Sequence, residues 1–326
     1  MLLYAGIDEA GYGPMLGPLC VGAFAFRLAE GEAAEGPPEL WKSLASVVCR
    51  SPADSKKRIA VADSKKLKTA NSGKSHPLRH LERGVLAFTL AGAEDASIPD
   101  DEALLTRWGL DLARLQSKPW YRTASPLPLA TTADRIGIEA AKVRRAMRAA
   151  GIEMLPPMVE AIDEERFNRL CATAGKAHVN FVAAMRLVDR LWQAHPEDHP
   201  RVMIDRHGGR NDYVEPLLRA FPGIELTVLG QTERVSRYRL ERAGSSITLS
   251  FETECETRHF PTALASMAAK FTRELLMARF NRYFAAISPE VKPTAGYVQD
   301  ARRWLSEIGP TLRSRGLRRE DLVRMA

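Results

Sequence analysis

The stretch GIDEAGYGP, residues 6–14, follows an apolar opening, Met1-Leu2-Leu3-Tyr4-Ala5, and sets two acids, Asp8 and Glu9, side by side. An apolar run of this length that ends in a Gly/Pro-rich loop reads as a buried strand. Adjacent carboxylates repel, and apolar flanks raise the cost of ionising them. Such a pair calls for positive charge. The loop EAGYGPMLG carries Gly11, Gly13 and Gly17, and PLCVGAFAFRL beyond it reads as a second strand. The two strands suit a hairpin joined by a wide, functional loop. A dinucleotide fingerprint fits less well. The spacing is G-x-G-x-x-x-G, Pro14 interrupts it, and two acids would face the phosphates.

Outward from the hairpin, AEGEAAEGPPEL (29–40) reads as a polar connection, and RIAVADSKKLKTANSGKS (58–75) runs from a strand into a basic Ser/Lys loop. GVLAFTLAGAE (84–94) reads as a strand. Residues from about 95 to 155 form an insertion with its own helices, DDEALLTRWGLDLARLQ and ADRIGIEAAKVRRAMRAAG, around a Pro/Ser/Thr-rich link. Residues 163–195 read as one long amphipathic helical region. RVMID (201–205) is a buried strand ending on Asp205, and GIELTVLG (223–230) is another strand. SRYRLERAGSSITLSFETE (236–254) alternates as a hairpin should. Residues 261–287 form a helix of about seven turns, opened by Pro261. A basic tail with Arg313, Arg315, Arg318 and Arg319 closes the chain. Strands alternating with helices predict a mixed α/β sheet with helices on its faces. The expected division is a catalytic domain over 1–290, carrying the insertion, and a C-terminal helical extension over 291–326.

The bulk composition narrows the partner. In 326 residues, 47 basic against 40 acidic side chains leave a net charge of +7, which favours an anionic partner such as nucleic acid. Hydrophobic content of 45% and charged content of 27% are those of a globular chain. Cys20, Cys49, Cys171 and Cys255 are scattered without a C-x-x-C pair, as in reduced cytosolic thiols rather than disulfides or a zinc site. No apolar run has the length of a membrane helix, and the N-terminus lacks the regions of a signal peptide. The expectation is a cytoplasmic monomer.

Acids recur where a sheet could gather them. Asp8-Glu9 and Asp205 end strands, and Glu252, Glu254 and Glu256 alternate in FETECETRH before the long helix. Ligand sites in open α/β sheets collect beyond the carboxyl ends of strands. Carboxylates gathered at one edge repel unless cations sit among them. Oxygen donors without His or Cys point to Mg²⁺ or Mn²⁺, and a pair of such ions is suited to in-line phosphodiester cleavage.

With these residues on the page, the chain resembles the type 2 ribonucleases H, ribonucleases HII and HIII. GIDEAGYGPMLGPLCVGA is similar to that family's opening D-E-[AV]-G-R-G-P motif, and ADSKKL (62–67) to its D-S-K-K-L motif. MIDRHGG stands where a strand ends in the family's third acid. ALASMAAKFTRELLM resembles the helix A-A-S-I-x-A-K-x-x-R-D, and PTAGYVQDARRWL the later G-Y-P-T segment. The motifs occur in family order and span most of the chain.

The resemblance implies a ribonuclease H-like mixed sheet flanked by helices. The implied activity is metal-dependent cleavage of the RNA strand of RNA–DNA hybrids, or at ribonucleotides embedded in duplex DNA. It implies metal binding and catalysis by Asp8, Glu9, Asp205 and Glu256, with Glu254 as runner-up if the loop is shifted, since a two-residue slip along a strand points the same way. Gly11, Tyr12 and Gly13 align with the segment whose backbone reads a 2′-hydroxyl. Lys65 and Lys66 would contact phosphates, with Ser64 shaping their loop, and Lys270 and Arg273 share a helix face that could do likewise. Tyr297 corresponds to a tyrosine that stacks on a sugar.

Two departures stand out: Tyr12 replaces the usual Arg, and the stretch between DSKKL and MIDR is longer than in the common bacterial enzyme. A non-catalytic nucleic-acid-binding relative and a structure-specific DNA nuclease are the rival readings. Bland readings go to His207 as a turn residue, His259 as a loop residue, Ser266 as small packing and Asp63 as a loop-shaping residue. Trp120-Tyr121 reads as a hydrophobic cluster before a base-stacking pair.

Overall fold

A computed structural model describes residues 1–28, 37–68, 75–93 and 97–325. The polar connection over 29–36, the Ser/Lys loop over 69–74 and the start of the expected insertion near 95 fall outside these residues.

An eight-stranded mixed sheet organises the chain. Its strands are β1 (Leu2–Ala10), β2 (Leu19–Leu28), β3 (Ile152–Met154), β4 (Met158–Ile162), β5 (Arg201–Asp205), β6 (Glu225–Gln231), β7 (Val235–Arg242) and β8 (Ser245–Glu252). They lie in the order β3-β2-β1-β5-β8-β7-β6, with β4 also on β2. β1 and β2 form the expected antiparallel hairpin, Leu2 opposite Leu28 and Ala10 opposite Cys20. β5 runs parallel between β1 and β8, with Ile7 opposite Ile204 and Asp205 opposite Glu252. This register brings the acid-bearing ends of β1 and β5 to one edge.

Side chains of a strand alternate between faces, and the two acids of β1 divide accordingly. Leu3, Ala5 and Ile7 enter a core with Val179, Ala183 and Leu187 of α5 (Lys176–Ala194). Tyr4 joins the opposite core with Phe260, Leu264 and Ala268 of α7 (Phe260–Ile287). Asp8 therefore faces α7 and Glu9 faces α5. Gly6 allows α7 to start so close to the sheet, because a Cβ there would stand 2.1 Å from the Thr262 amide nitrogen. The chain also forms α1 (Ser64–Leu67), α2 (Arg79–Ala91), α3 (Ala133–Ala149), α4 (Glu164–Ala174), α6 (Cys255–Arg258) and α8 (Val298–Ser314).

Three local expectations are corrected. GVLAFTLAGAE is not a strand but the body of α2, whose Leu81, Val85 and Phe88 recur on one buried face. A short apolar run is compatible with either state, and packing against α7 decided it. The helical region over 163–195 is two helices, broken at Gly175, whose φ of +77° suits glycine and ends α4. FETECETRH does not alternate as a strand. β8 stops at Glu252, Glu254 takes a left-handed φ of +53°, and Glu256 lies in the short α6.

The segment expected as an insertion supplies helices Asp101–Arg107 and Leu112–Gln116 as well as α3. Trp120 and Tyr121 are buried among Phe280, Tyr283 and Phe284 of α7, as the hydrophobic-cluster reading expects. Of the exposed tail arginines, Arg313 lies in the last turn of α8, and Arg315, Arg318 and Arg319 follow its end.

Candidate metal centre

The strand register gathers Asp8, Glu9 and Asp205 so that one carboxylate oxygen of each lies within 4.8 Å of the others. Each is held by a local contact. Asp8 accepts from the Glu9 amide at 2.7 Å, and Asp205 accepts from the Cys255 amide at 3.2 Å. Ser266 of α7 stands beside Asp8 and Asn180 of α5 beside Glu9, and each favours the charged form of its neighbouring acid. Each acid of the β1 pair thus has a polar side chain from the helix on its own face as a neighbour.

The electrostatics are those of crowded like charges. Burial first, then the charges of Glu9, Asp205 and Glu256, push the Asp8 carboxyl well above the usual range. Burial likewise raises Glu9, opposed by the Asn180 hydrogen bond and Lys65. Burial, Glu9 and Glu256 push Asp205 up to about 7. Glu256 acts on all three acids as a like charge without joining the tight group, and it projects from α6, the turn that follows β8. Glu254 is exposed one turn away, so its runner-up reading loses the strand geometry on which it rested.

Lys65 is the cation that faces this field. Burial pulls its ammonium down, but Asp63, Asp8, Glu256 and Glu9 together outweigh that and hold it above its ordinary value. Its position follows from the local sequence. Asp63 caps α1 by accepting from the Lys65 amide at 2.9 Å, as a loop-shaping residue should. Buried Ser64 is 3.0 Å from the Ser266 hydroxyl. Ser266 therefore ties α7 to the DSKKL loop by donating to Ser64, which is more than small packing. Lys66 is exposed on the same short helix.

The glycine loop is held from below by two arginines. Gly11 has a φ of +93°, and a Cβ there would meet the Arg273 Cδ at 2.7 Å. Arg273 is 1% exposed and donates to the carbonyls of Leu16, Pro18 and Ala295 at 3.2, 3.3 and 3.1 Å. The expectation that Arg273 contacts substrate is corrected, because its guanidinium is committed to the main chain inside the core. Lys270 is corrected in the same way. It is buried and paired with Glu274 at 3.0 Å, an acid that Lys68 also grips at 2.7 Å. Arg324, in the basic tail, donates to the Pro14 carbonyl, and its amide donates to the Met15 carbonyl at 2.8 Å.

Tyr12 is half-buried. Burial and the nearby Glu9 raise its phenol above the ordinary value. Gly13 is exposed at the tip. Tyr297 is 51% exposed and follows Gly296, whose carbonyl accepts from the Met15 and Leu16 amides at 2.8 and 3.2 Å. That pairing seats Tyr297 beside the loop.

The two histidines lie off the centre. His207 is buried against Phe181, Tyr213 and Phe251, and burial pushes its imidazole down to about 3, so it stays neutral. His259 is likewise buried, with Nδ1 2.6 Å from the Tyr4 hydroxyl and Nε2 3.0 Å from Glu252. Sequence reasoning overlooked Asn180 and Arg324. A polar residue inside the apolar run Val179–Phe181 was the available signal for the first. Nothing in the tail distinguished the second.

The donor set fits a hard divalent cation. Three carboxylates converge through oxygen alone, and burial makes their mutual repulsion costly unless a cation offsets it.

No family model and no curated protein matches this chain. Among solved structures, it is similar to the RNase HII of a PCNA:RNase HII complex from Archaeoglobus fulgidus, with TM-score 0.42 and 16% identity over 99% of this chain and 94% of that one. It is also similar to the ribonuclease H2 from Pyrococcus horikoshii OT3, with TM-score 0.45 and 11% identity over 98% and 92%. Bst-RNase HIII in complex with Mn²⁺ follows at TM-score 0.42 and 14% identity; there the match covers 99% of this chain but 66% of that one. The mixed sheet flanked by helices expected from the sequence is the architecture that the strand order itself displays. Among the described residues, no helix is long and apolar enough to cross a membrane.

Proposed function

We propose that this chain is a divalent-metal-dependent nuclease that cuts the RNA strand of RNA–DNA hybrids, or at ribonucleotides embedded in duplex DNA. The observation that carries the reading is the convergence of Asp8, Glu9 and Asp205 within 4.8 Å at one sheet edge. Glu256 adds a fourth negative charge that all three feel. The motif resemblance supplies the substrate class.

In this reading Asp8, Glu9, Asp205 and Glu256 hold Mg²⁺ or Mn²⁺. A bound ion supplies charge to the scissile phosphate and lowers the pKa of its water for in-line attack. The remaining work belongs to the chain. Ser266 and Asn180 orient Asp8 and Glu9, and such outer partners are worth roughly 10–100-fold in metal affinity or activity. Lys65 and Lys66 meet the phosphate backbone, so cleavage should fall as salt rises. The amides of the Gly11–Gly13 segment, braced by Arg273 and Arg324, read the 2′-hydroxyl that distinguishes RNA from DNA, and Tyr297 packs on a neighbouring sugar.

Two labelled duplexes test the proposal, one with a single embedded ribonucleotide and one with a full RNA strand against DNA. Each is incubated with Mg²⁺, Mn²⁺ or EDTA. Cleavage of either that requires metal and yields a 5′-phosphate and a 3′-hydroxyl is the expected result. Binding without cleavage by folded, metal-supplemented protein would favour a non-catalytic relative. Cleavage confined to branched, all-DNA substrates would favour a structure-specific DNA nuclease.

A further inference from the structure

Glu256 stands on the connection between β8 and α7, residues 253–258, and this connection is closed on itself. Glu252 ends β8, and His259 immediately precedes α7. The Glu252 carboxylate lies 3.0 Å from His259 Nε2 and 2.9 Å from Arg258 Nη2. The side chain at the entry therefore grips both residues at the exit. Arg258 also donates to the Thr253 carbonyl at 2.7 Å, and the His259 amide donates to the Cys255 carbonyl at 2.9 Å. His259 Nδ1 lies 2.6 Å from the Tyr4 hydroxyl, which ties the exit to β1. With Tyr4 donating to Nδ1 and Nε2 donating to the carboxylate, each group has its partner. Glu252, His259 and Tyr4 are all buried.

The clip holds a costly path. Glu254 has a φ of +53°, a conformation that a residue with a side chain keeps only where its surroundings over-determine it. What the clip fixes reaches the acid centre at two points. The Cys255 amide donates to the Asp205 carboxylate at 3.2 Å, and the Glu252 carbonyl accepts from the Arg206 amide at 3.0 Å. Glu256 follows Cys255 directly, so the same turn sets its direction. In register, Glu252 stands beside Asp205. Its carboxylate is nonetheless turned to Arg258 and His259 and takes no part in the tight acid group.

Resting on the metal-dependent function proposed above, we infer that Glu252 is a positioning residue for the metal centre. Held by Arg258 and His259, it sets the connection so that Glu256 and Asp205 present their carboxylates to a divalent cation. Glu252 itself does not touch the cation. Arg258 contributes through Glu252, although by field alone its positive charge would oppose a neighbouring cation.

The test reads the Mn²⁺ affinity of the folded protein, from the EPR signal of free Mn²⁺ and from the rise of Tm with Mn²⁺ concentration. Tm in EDTA reports folding separately. Glu252→Gln should weaken Mn²⁺ binding about 10–100-fold, the range for outer partners of metal ligands. Glu256→Gln should weaken it too, and the double variant should lose less than the two single losses combined, because one residue acts through the other. Arg258→Ala decides the sign. Loss of a nearby cation tightens Mn²⁺ binding if only the field matters, and weakens it if the clip matters. Weaker binding is expected, with Arg258→Lys closer to the parent. Arg258 is 41% exposed, so this variant stands in if Glu252→Gln perturbs folding. Tighter binding in Arg258→Ala, losses that combine in full, or parent affinity in Glu256→Gln would overturn the inference. If the parent cuts hybrid while Glu252→Gln binds Mn²⁺ as the parent does, the clip fails and the nuclease reading stands. If the parent binds Mn²⁺ more tightly than Glu252→Gln yet cuts nothing, the nuclease reading fails and the clip stands. A parent that binds no Mn²⁺ would overturn both.

Discussion

Two groups of acids in this molecule, one fully and one partly buried, are handled in opposite ways. Asp101, in the helical segment packed outside α7, is fully buried and meets Arg279 through two hydrogen bonds, at 2.7 and 2.9 Å. Arg279 spends its remaining nitrogen on the Tyr121 carbonyl at 2.8 Å, and Asp101 accepts also from the Ser125 amide at 2.8 Å. Every charge there has its counterpart, so the pair works as a clamp between the segment and α7. Asp8, Glu9 and Asp205 are gathered just as deliberately, yet they face one another and raise one another's affinity for protons. A paired acid builds the fold, whereas acids held together against their repulsion store a demand for a cation. The contrast separates paired from crowded charge within one chain.

The comparison is broken most directly by removing one acid of the centre. Asp8→Asn should lower cleavage by more than the roughly 10–100-fold expected for loss of an outer partner, while hybrid binding is retained. Cleavage near the parent rate, measured on the same labelled duplex, would remove Asp8 from the metal-binding set. In the clamp the effect should fall on stability. Arg279→Ala leaves Asp101 buried without its partner and should cost about 3–5 kcal/mol in urea unfolding, with the activity of the folded fraction intact. A loss below about 1 kcal/mol, the range of exposed pairs, would show that the clamp bears little weight.

The fourth acid gives a finer cut. Glu256→Gln should reduce cleavage well beyond Glu254→Gln, because only Glu256 contributes to the field at Asp8, Glu9 and Asp205. The reverse ranking would reassign the centre to the left-handed turn.

The smallest effect is on pH-dependent stability without metal. Burial, with the charges of Glu9 and Glu256, pushes the Asp205 carboxyl up to about 7 from its ordinary 3.8. Between those values the folded state holds a proton that the unfolded chain has lost. Its contribution is complete below about pH 4 and is lost as pH rises through about 7. In EDTA, the Tm of the parent should therefore fall relative to that of Asp205→Asn over this window. Added Mg²⁺ or Mn²⁺ should recover it above pH 7 by binding the folded state. Parallel Tm curves for parent and variant would contradict a shared, strained centre.

Legibility in the sequence followed the range of the interactions. The β1–β2 hairpin could be read because its apolar runs and its glycine loop are local, and Asp205 because it ends a short apolar strand. α2 could not, since GVLAFTLAGAE is apolar in either periodicity and its contact with α7 made it a helix. Lys270 and Arg273 share a helix face as spacing requires, but spacing says nothing of what that face meets. Glu274 and the carbonyls of the glycine loop took them out of solvent. Asn180 and Arg324 reach the site from α5 and from the tail, across distances that no local pattern records.

By itself, then, the sequence determined that two adjacent acids would leave a buried strand at a glycine loop. It also determined that further acids and a lysine-bearing loop would follow, because these depend on alternation, turn chemistry and composition. Tertiary structure alone decided that β5 lies parallel beside β1, which is what brings Asp205 to Asp8 and Glu9. It decided that Glu256 rather than Glu254 adds to their field, and which arginines brace the loop. Those outcomes rest on strand order and helix packing, where partners far apart in the chain compete for the same surface.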